Sequence, residues 1–137
     1  MKPLIVVDAA NVIGSRPDGW WRDRAAAARR LVANLADSRL PDEGEIVVVV
    51  EGKAREGVAE GRLDGVRVEH APGSGDDRVV AVVEDAVRAS PGRPITVVTS
   101  DRGLRERVNA LGAQAVGARW LWERLGQTKP PTSPTGP

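Results

Sequence analysis

The sequence predicts an α/β protein, a three-layer α/β/α sandwich around a mostly parallel sheet. Two observations carry that reading. Short apolar, β-branched runs at 4–7, 46–50 and 95–98 have the pattern of strands buried on both faces. Segments with helical apolar spacing alternate with strands over intervals of about 20–30 residues, as right-handed βαβ crossovers require.

In chain order, Pro3-Leu4-Ile5-Val6-Val7 is the first strand, closing on Asp8, and a turn follows at Pro17-Asp18-Gly19. Within residues 24–37, Ala28, Leu31, Val32 and Leu35 recur at i, i+3, i+4 and i+7, and Asp23 is placed to cap that helix. Pro41 to Glu45 is a turn-rich connection into the second strand, 46–50, which ends on Glu51. Residues 52–65 are charged and punctuated by glycine, a loop with at most a short helix. Val66 and Val68 alternate with Arg67 and Glu69, the pattern of a third strand half exposed near an edge. After Gly73-Ser74-Gly75, Asp76 or Asp77 is expected to cap a helix carrying Val79, Val80, Val83, Ala86 and Val87. Residues 94–99 form the fourth strand, a helix runs from about Arg102 to Ala110, and Ala115-Val116 is a short fifth strand. Trp120, Leu121 and Leu125 mark a last short helix. Residues 127–137 are Pro-rich with no apolar anchor, so they are expected to be disordered, leaving one domain over 1–126.

Composition narrows the function. A chain of 137 residues, 41% apolar and 28% charged, suits one soluble domain with a single core. No run approaches the ~18 apolar residues of a membrane helix, and no leader pattern precedes the first strand. A cytoplasmic protein without membrane contact is therefore expected. There is no cysteine, so any metal must bind oxygen or the lone His70. The net charge is only +1, yet residues 16–30 hold Arg16, Arg22, Arg24, Arg29 and Arg30 against Asp18 and Asp23. Alone, such a cluster reads as a solvated helix face.

The acids carry more. Asp8 ends the first strand, Glu51 the second, Asp76-Asp77 open the helix after the third, and Asp101 follows the fourth. In open parallel sheets, ligands bind beyond the carboxyl ends of the strands. Any one of these acids is accounted for as a helix cap or a solvated side chain. Four separate segments bringing acids to one edge are not, because converging carboxylates repel unless cations or protons intervene. Hard oxygen donors of this kind suit Mg²⁺ or Mn²⁺, which ionise water and stabilise phosphoryl charge.

Other strand-edge enzymes do not fit. A phosphoaspartyl hydrolase needs a second Asp where Ala10 stands, and a receiver domain needs a suitably placed lysine, which Lys2, Lys53 and Lys129 do not supply. No GxGxxG follows the first strand, "GSGDD" is too short and misplaced for a P-loop, and His70 has no evident Ser partner.

These residues resemble a known family. "VVDAANVIG" resembles the opening of the NYN branch of PIN-like ribonucleases, specifically the bacterial YacP-like group. "SGDDRVVAVVEDA", "ITVVTSDRGLRERV" and "LGAQAV" resemble its central helix, fourth strand and last strand, so the likeness runs in order from residue 4 to about 125. The resemblance implies a PIN-like fold, with five strands in the order 3-2-1-4-5. It also implies Mg²⁺ or Mn²⁺ and endonucleolytic hydrolysis of RNA phosphodiesters by a metal-activated water. By position, Asp8 and Asp101 would hold the metal or its waters, and Asp76 is the first choice at the helix start, with Asp77 sharing or replacing it. Glu51 stands where an Asp is expected, and Glu84 reads as an exposed helix residue. Asn11 would orient Asp8 or contact substrate, and Ser100 would support a water or phosphate. An RNA-binding relative without catalysis, and a toxin-type PIN nuclease with a protein antitoxin, are alternatives of different class. Monomer and homodimer stay open.

Trp20 and Trp21 follow the proline turn, flanked by Arg16, Arg22 and Arg24. Aromatic faces stack unpaired bases and arginines neutralise phosphates, which suits single-stranded RNA. Adjacent side chains do not easily share one face, so one indole is expected buried and one exposed, Trp20 being the more exposed. Trp120 and Trp122 are expected to close the C-terminal core.

Overall fold

A computed structural model describes residues 2–16 and 19–126. The Pro17-Asp18 part of the expected turn and the expected 127–137 tail lie outside the described residues. Six strands form one sheet: β1 (Leu4–Asp8), β2 (Glu45–Val50), β3 (Gly61–Leu63), β4 (Val66–His70), β5 (Ile95–Val98) and β6 (Gln114–Val116), in the order β3-β4-β2-β1-β5-β6. All pairs are parallel except β3 with β4. The helices are α1 (Ala9–Gly14), α2 (Arg24–Asp37), α3 (Leu40–Glu43), α4 (Gly75–Ala89), α5 (Arg102–Ala110) and α6 (Ala118–Leu125). Single 3-10 stretches cover Trp20–Arg22 and Gly52–Gly57.

The three layers follow from strand alternation. Side chains of successive strand residues point to opposite faces. Ile5, Val7, Ile46, Val48, Val50, Val66 and Val68 therefore meet α1, α2 and α6 through Val12, Leu31, Leu35 and Leu121. Leu4, Val6, Val47, Val49 and Val97 meet α4 and α5 through Val79, Val83, Leu104 and Val108. Asp23 caps α2 as expected, its Oδ1 accepting the Ala26 N–H at 2.9 Å.

Three points of the sequence reading need correction. The sequence predicts five strands in the order 3-2-1-4-5; those five keep that relative order, and β3 is added outside them. The strand at 66–70 lies next to the edge and is half exposed, as expected. Asp64 and Gly65, both at positive φ (47° and 85°), turn the chain tightly so that Gly61–Leu63 pairs back on β4. Residues 9–14 form α1 directly after β1, a single helical stretch too short to show periodicity. Finally, neither Asp76 nor Asp77 caps α4. Ser74 does, its hydroxyl accepting the Asp77 N–H, and both acids lie in the first turn, where the helix dipole favours them.

Candidate active site

The same alternation that builds the two cores sets the site. Asp8 shares the parity of Leu4 and Val6, Glu51 that of Val47 and Val49, and Thr99 that of Val97. All three therefore belong to the α4 face of the sheet, at its carboxyl edge. Registers of Asp8 with Val49 and of Val7 with Val98 bring the strand ends level.

Asp8 is 4% exposed. Its Oδ1 accepts the Asn11 N–H at 3.4 Å and its Oδ2 accepts the Thr99 hydroxyl at 3.0 Å. Burial pushes its carboxyl up to about 6; the two hydrogen bonds oppose that rise, while the charges of Asp76 and Glu51 add to it. Asp76, half-buried, is also raised, first by desolvation and then by Asp101 and Glu51, against a lowering from Arg107. Four acids from four segments thus act on one another.

Glu51 reaches α4 directly. Its Oε2 accepts the Gly75 N–H at 2.8 Å, a second cap beside Ser74. Glycine keeps this approach uncrowded: a Cβ at Gly75 would stand 3.0 Å from Glu51 Oε1, so the carboxylate would have to shift. Asp101 is exposed and caps α5, its Oδ1 accepting the Leu104 N–H at 2.8 Å. Asp77 points elsewhere, to an exposed pair with Arg107 at 3.2 Å.

Asn11 ties two strand ends together, its Oδ1 accepting the Ser100 N–H at 2.8 Å. The Ser100 hydroxyl accepts the Ala118 N–H at 3.2 Å, so it serves the start of α6. Thr99 is the residue that sequence reasoning passed over. Its hydroxyl donates to Asp8 and accepts the Asp101 N–H at 3.2 Å, linking two of the acids. Its strand parity was the available signal. Glu84 is exposed on α4, as expected.

The tryptophans reverse the expectation. Trp21 is 53% exposed, whereas Trp20 packs against the α1–α2 core. The chain bends at Gly19 (φ +83°), which lays Trp20 back toward Gly14. Arg24 lies 5.4 Å from the Trp20 ring centre and Arg22 5.9 Å from that of Trp21. Arg16 is drawn away, stacked at 3.9 Å on Trp122. Trp120 and Trp122 pack against the core as expected.

Among the described residues, no three His, Asp or Glu side chains are arranged to hold a metal ion directly. The donor chemistry nevertheless fits Mg²⁺ or Mn²⁺. A hard ion that keeps several waters needs only one or two carboxylates, and Asp8, Asp76, Asp101 and Glu51 are mutually repelling oxygen donors.

A family model described as the YacP-like NYN domain matches residues 5–133. The chain belongs to the YacP-like NYN domain family. NYN domains have a nuclease-like, RNA-related fold. The crystal structure of Rae1 (YacP) from Bacillus subtilis superposes with a TM-score of 0.71 at 23% identity, over 92% of this chain and 74% of that one. A single-residue mutant of the same protein gives 0.71 at 20% identity, over 90% and 75%. At such identities the likeness concerns the fold alone. No curated protein matches the chain. Among the described residues of this NYN domain, no helix is long and apolar enough to cross a membrane.

Proposed function

We propose that this NYN domain is a divalent-cation-dependent endoribonuclease acting on RNA phosphodiesters, with Mg²⁺ or Mn²⁺ as cofactor. One observation carries the reading: four carboxylates gather at the carboxyl edge of the sheet, and the innermost, Asp8, is pushed up to about 6 by burial and by its acidic neighbours. Such an arrangement is unfavourable for the empty fold and becomes favourable when a cation is present. When bound, the ion supplies a nucleophilic water and neutralises charge on the phosphoryl oxygens.

The chain's own residues do the rest. The Asn11 N–H and the Thr99 hydroxyl orient Asp8 while each of its oxygens keeps a further lone pair. Thr99 also accepts the Asp101 N–H, so one hydroxyl at the end of β5 links both acids. Glu51 and Asp76, at the first turn of α4, complete the negative wall. Arg22 and Arg24 supply positive charge for the RNA backbone beyond the acids.

The test is incubation of the purified protein with single-stranded RNA in Mn²⁺, Mg²⁺ or EDTA. Internal cleavage in either metal and none in EDTA is expected. Cleavage that persists in EDTA, or RNA retention without cleavage in any metal, would overturn the reading; the second result would assign an RNA-binding module.

A further inference from the structure

A cavity of about 350 Å³ opens beside the acids, with Glu51 and Arg24 on its wall and Ala10, Ile13, Ala54 and Trp20 supplying its apolar surface. That volume lies in the range of small-ligand sites. An apolar, aromatic wall with one guanidinium suits a flat heteroaromatic ring carried next to a phosphate. A second hollow of about 510 Å³ shares Arg24 and Gly52 with the first and adds Trp21, Arg22 and Lys53. The two therefore adjoin at Arg24 and Gly52, the first against Trp20 and the second against Trp21.

The two tryptophan pairs differ in a way that bears on these hollows. Trp122 and Trp120 are each covered at 3.9 Å by an arginine of the protein, Arg16 and Arg124, and the Trp122 indole donates to the Ser15 hydroxyl. Over Trp20 and Trp21 the nearest guanidinium groups stand 5.4 and 5.9 Å away, looser than a closed stack. The Trp20 and Trp21 rings are 6.0 Å apart and perpendicular, at 88°. Bases on both rings could not lie parallel, as neighbours in a duplex do.

Resting on the nuclease reading above, we propose that this hollow is a nucleobase slot for single-stranded RNA. One unpaired base enters the cavity against Trp20, Arg24 and Lys53 meet the adjoining phosphate, and the neighbouring base lies on Trp21. The strand must turn between the two rings, so the slot takes unstacked RNA and refuses duplex.

Binding is measured in EDTA, so that chemistry does not enter, using a labelled hexanucleotide RNA alone and annealed to its complement. Single strand is expected to bind at least about tenfold tighter than duplex. Gly73→Leu adds bulk at a residue lining the cavity without strain: a Cβ there meets no atom within 4 Å and the backbone φ is ordinary. That variant should weaken single-strand binding about five- to a hundredfold, the range for losing one stacked base, and Trp20→Ala should do the same. Because Trp20 also packs on the core, Gly73→Leu keeps the proposal testable if Trp20→Ala does not fold. Lys53→Ala should reduce the salt slope by about one phosphate contact. Unchanged affinity in Gly73→Leu, or duplex bound as tightly as single strand, overturns the slot. Cleavage in Mn²⁺ separates the two claims. A wild type that cleaves while Gly73→Leu binds and cleaves equally well loses the slot and keeps the nuclease. A wild type that binds through the slot yet cleaves in no metal keeps the slot and loses the nuclease.

Discussion

Glu45 opens β2 and Glu51 follows its last residue, six positions on and on the same face of the sheet, yet the two ends of β2 treat their charge oppositely. Glu45, at the amino end, is paired with Arg67 and Arg93, and Arg67 also reaches Glu69, which lies level with Val49 further along and is paired with Arg78 as well. At the carboxyl end, Glu51 accepts only a backbone N–H, and Asp8 only an N–H and a hydroxyl. Where the acids are matched, the arginines come from three places: Arg67 from β4, Arg78 from α4 and Arg93 from the turn before β5. Where the acids of four segments meet, the innermost are left to raise one another's proton affinity. That contrast supports the proposal that the first cluster does structural work and the second receives a cation.

The largest effect expected concerns Asp8. Asp8→Asn keeps an acceptor for the Asn11 N–H and a polar partner for Thr99, but removes the charge. RNA cleavage should fall at least about a hundredfold, as for loss of a key electrostatic group, with far-ultraviolet circular dichroism unchanged. A variant that cleaves normally would break the contrast outright.

Stability against pH sharpens it. The folded Asp8 carboxyl titrates near 6, above its ordinary 3.8, so the folded protein binds its proton more tightly than the unfolded chain. Between those values stability falls as pH rises, and the loss is complete above about pH 6. Two units correspond to about 3 kcal/mol. In EDTA, wild type and Asp8→Asn should be similarly stable near pH 4, and Asp8→Asn the more stable by up to that amount at pH 7. Chemical denaturation at both pH values measures the gap; equal stability at pH 7 would contradict it.

Glu69→Gln tests the other cluster. Removing the charge between Arg67 and Arg78, in a side chain only 12% exposed, should cost about 1–2 kcal/mol while leaving cleavage within about twofold. The smallest effect is expected from Asp77→Asn, whose partner Arg107 is also exposed: a few tenths of a kcal/mol at most. Asp76→Asn, one residue away, should instead lower cleavage about tenfold or more. Equal losses in the two variants would show that position in the first turn of α4 does not matter.

Much of this was legible in the sequence, for reasons the residues themselves supply. The apolar runs at 4–7, 46–50 and 95–98 have no alternative to burial on both faces, and the acids that end them share an edge by topology. The α5 helix falls at Arg102–Ala110, where Asp101 caps it. Less accessible were features set by single contacts. β3 has one apolar residue, so its Asp64-Gly65 turn was the only signal for it. The cap of α4 falls on Ser74 because the helix begins at Gly75, whose own N–H is taken by Glu51 from beyond β2. Which tryptophan is buried depends on the bend at Gly19, which no spacing rule reveals. Thr99 was readable by parity, since the alternation that buries Val97 carries it to the same face as Asp8.

The central claim is that Asp8 and the acids that raise its proton affinity, and not the arginine-matched Glu45 and Glu69, receive a divalent cation. Calorimetric titration of Mn²⁺ into the metal-free protein at pH 7 tests it most directly, with wild type, Asp8→Asn and Glu69→Gln side by side. A saturable site in wild type and Glu69→Gln that is lost in Asp8→Asn is predicted. No binding by wild type, or a site of equal affinity in Asp8→Asn, would contradict it.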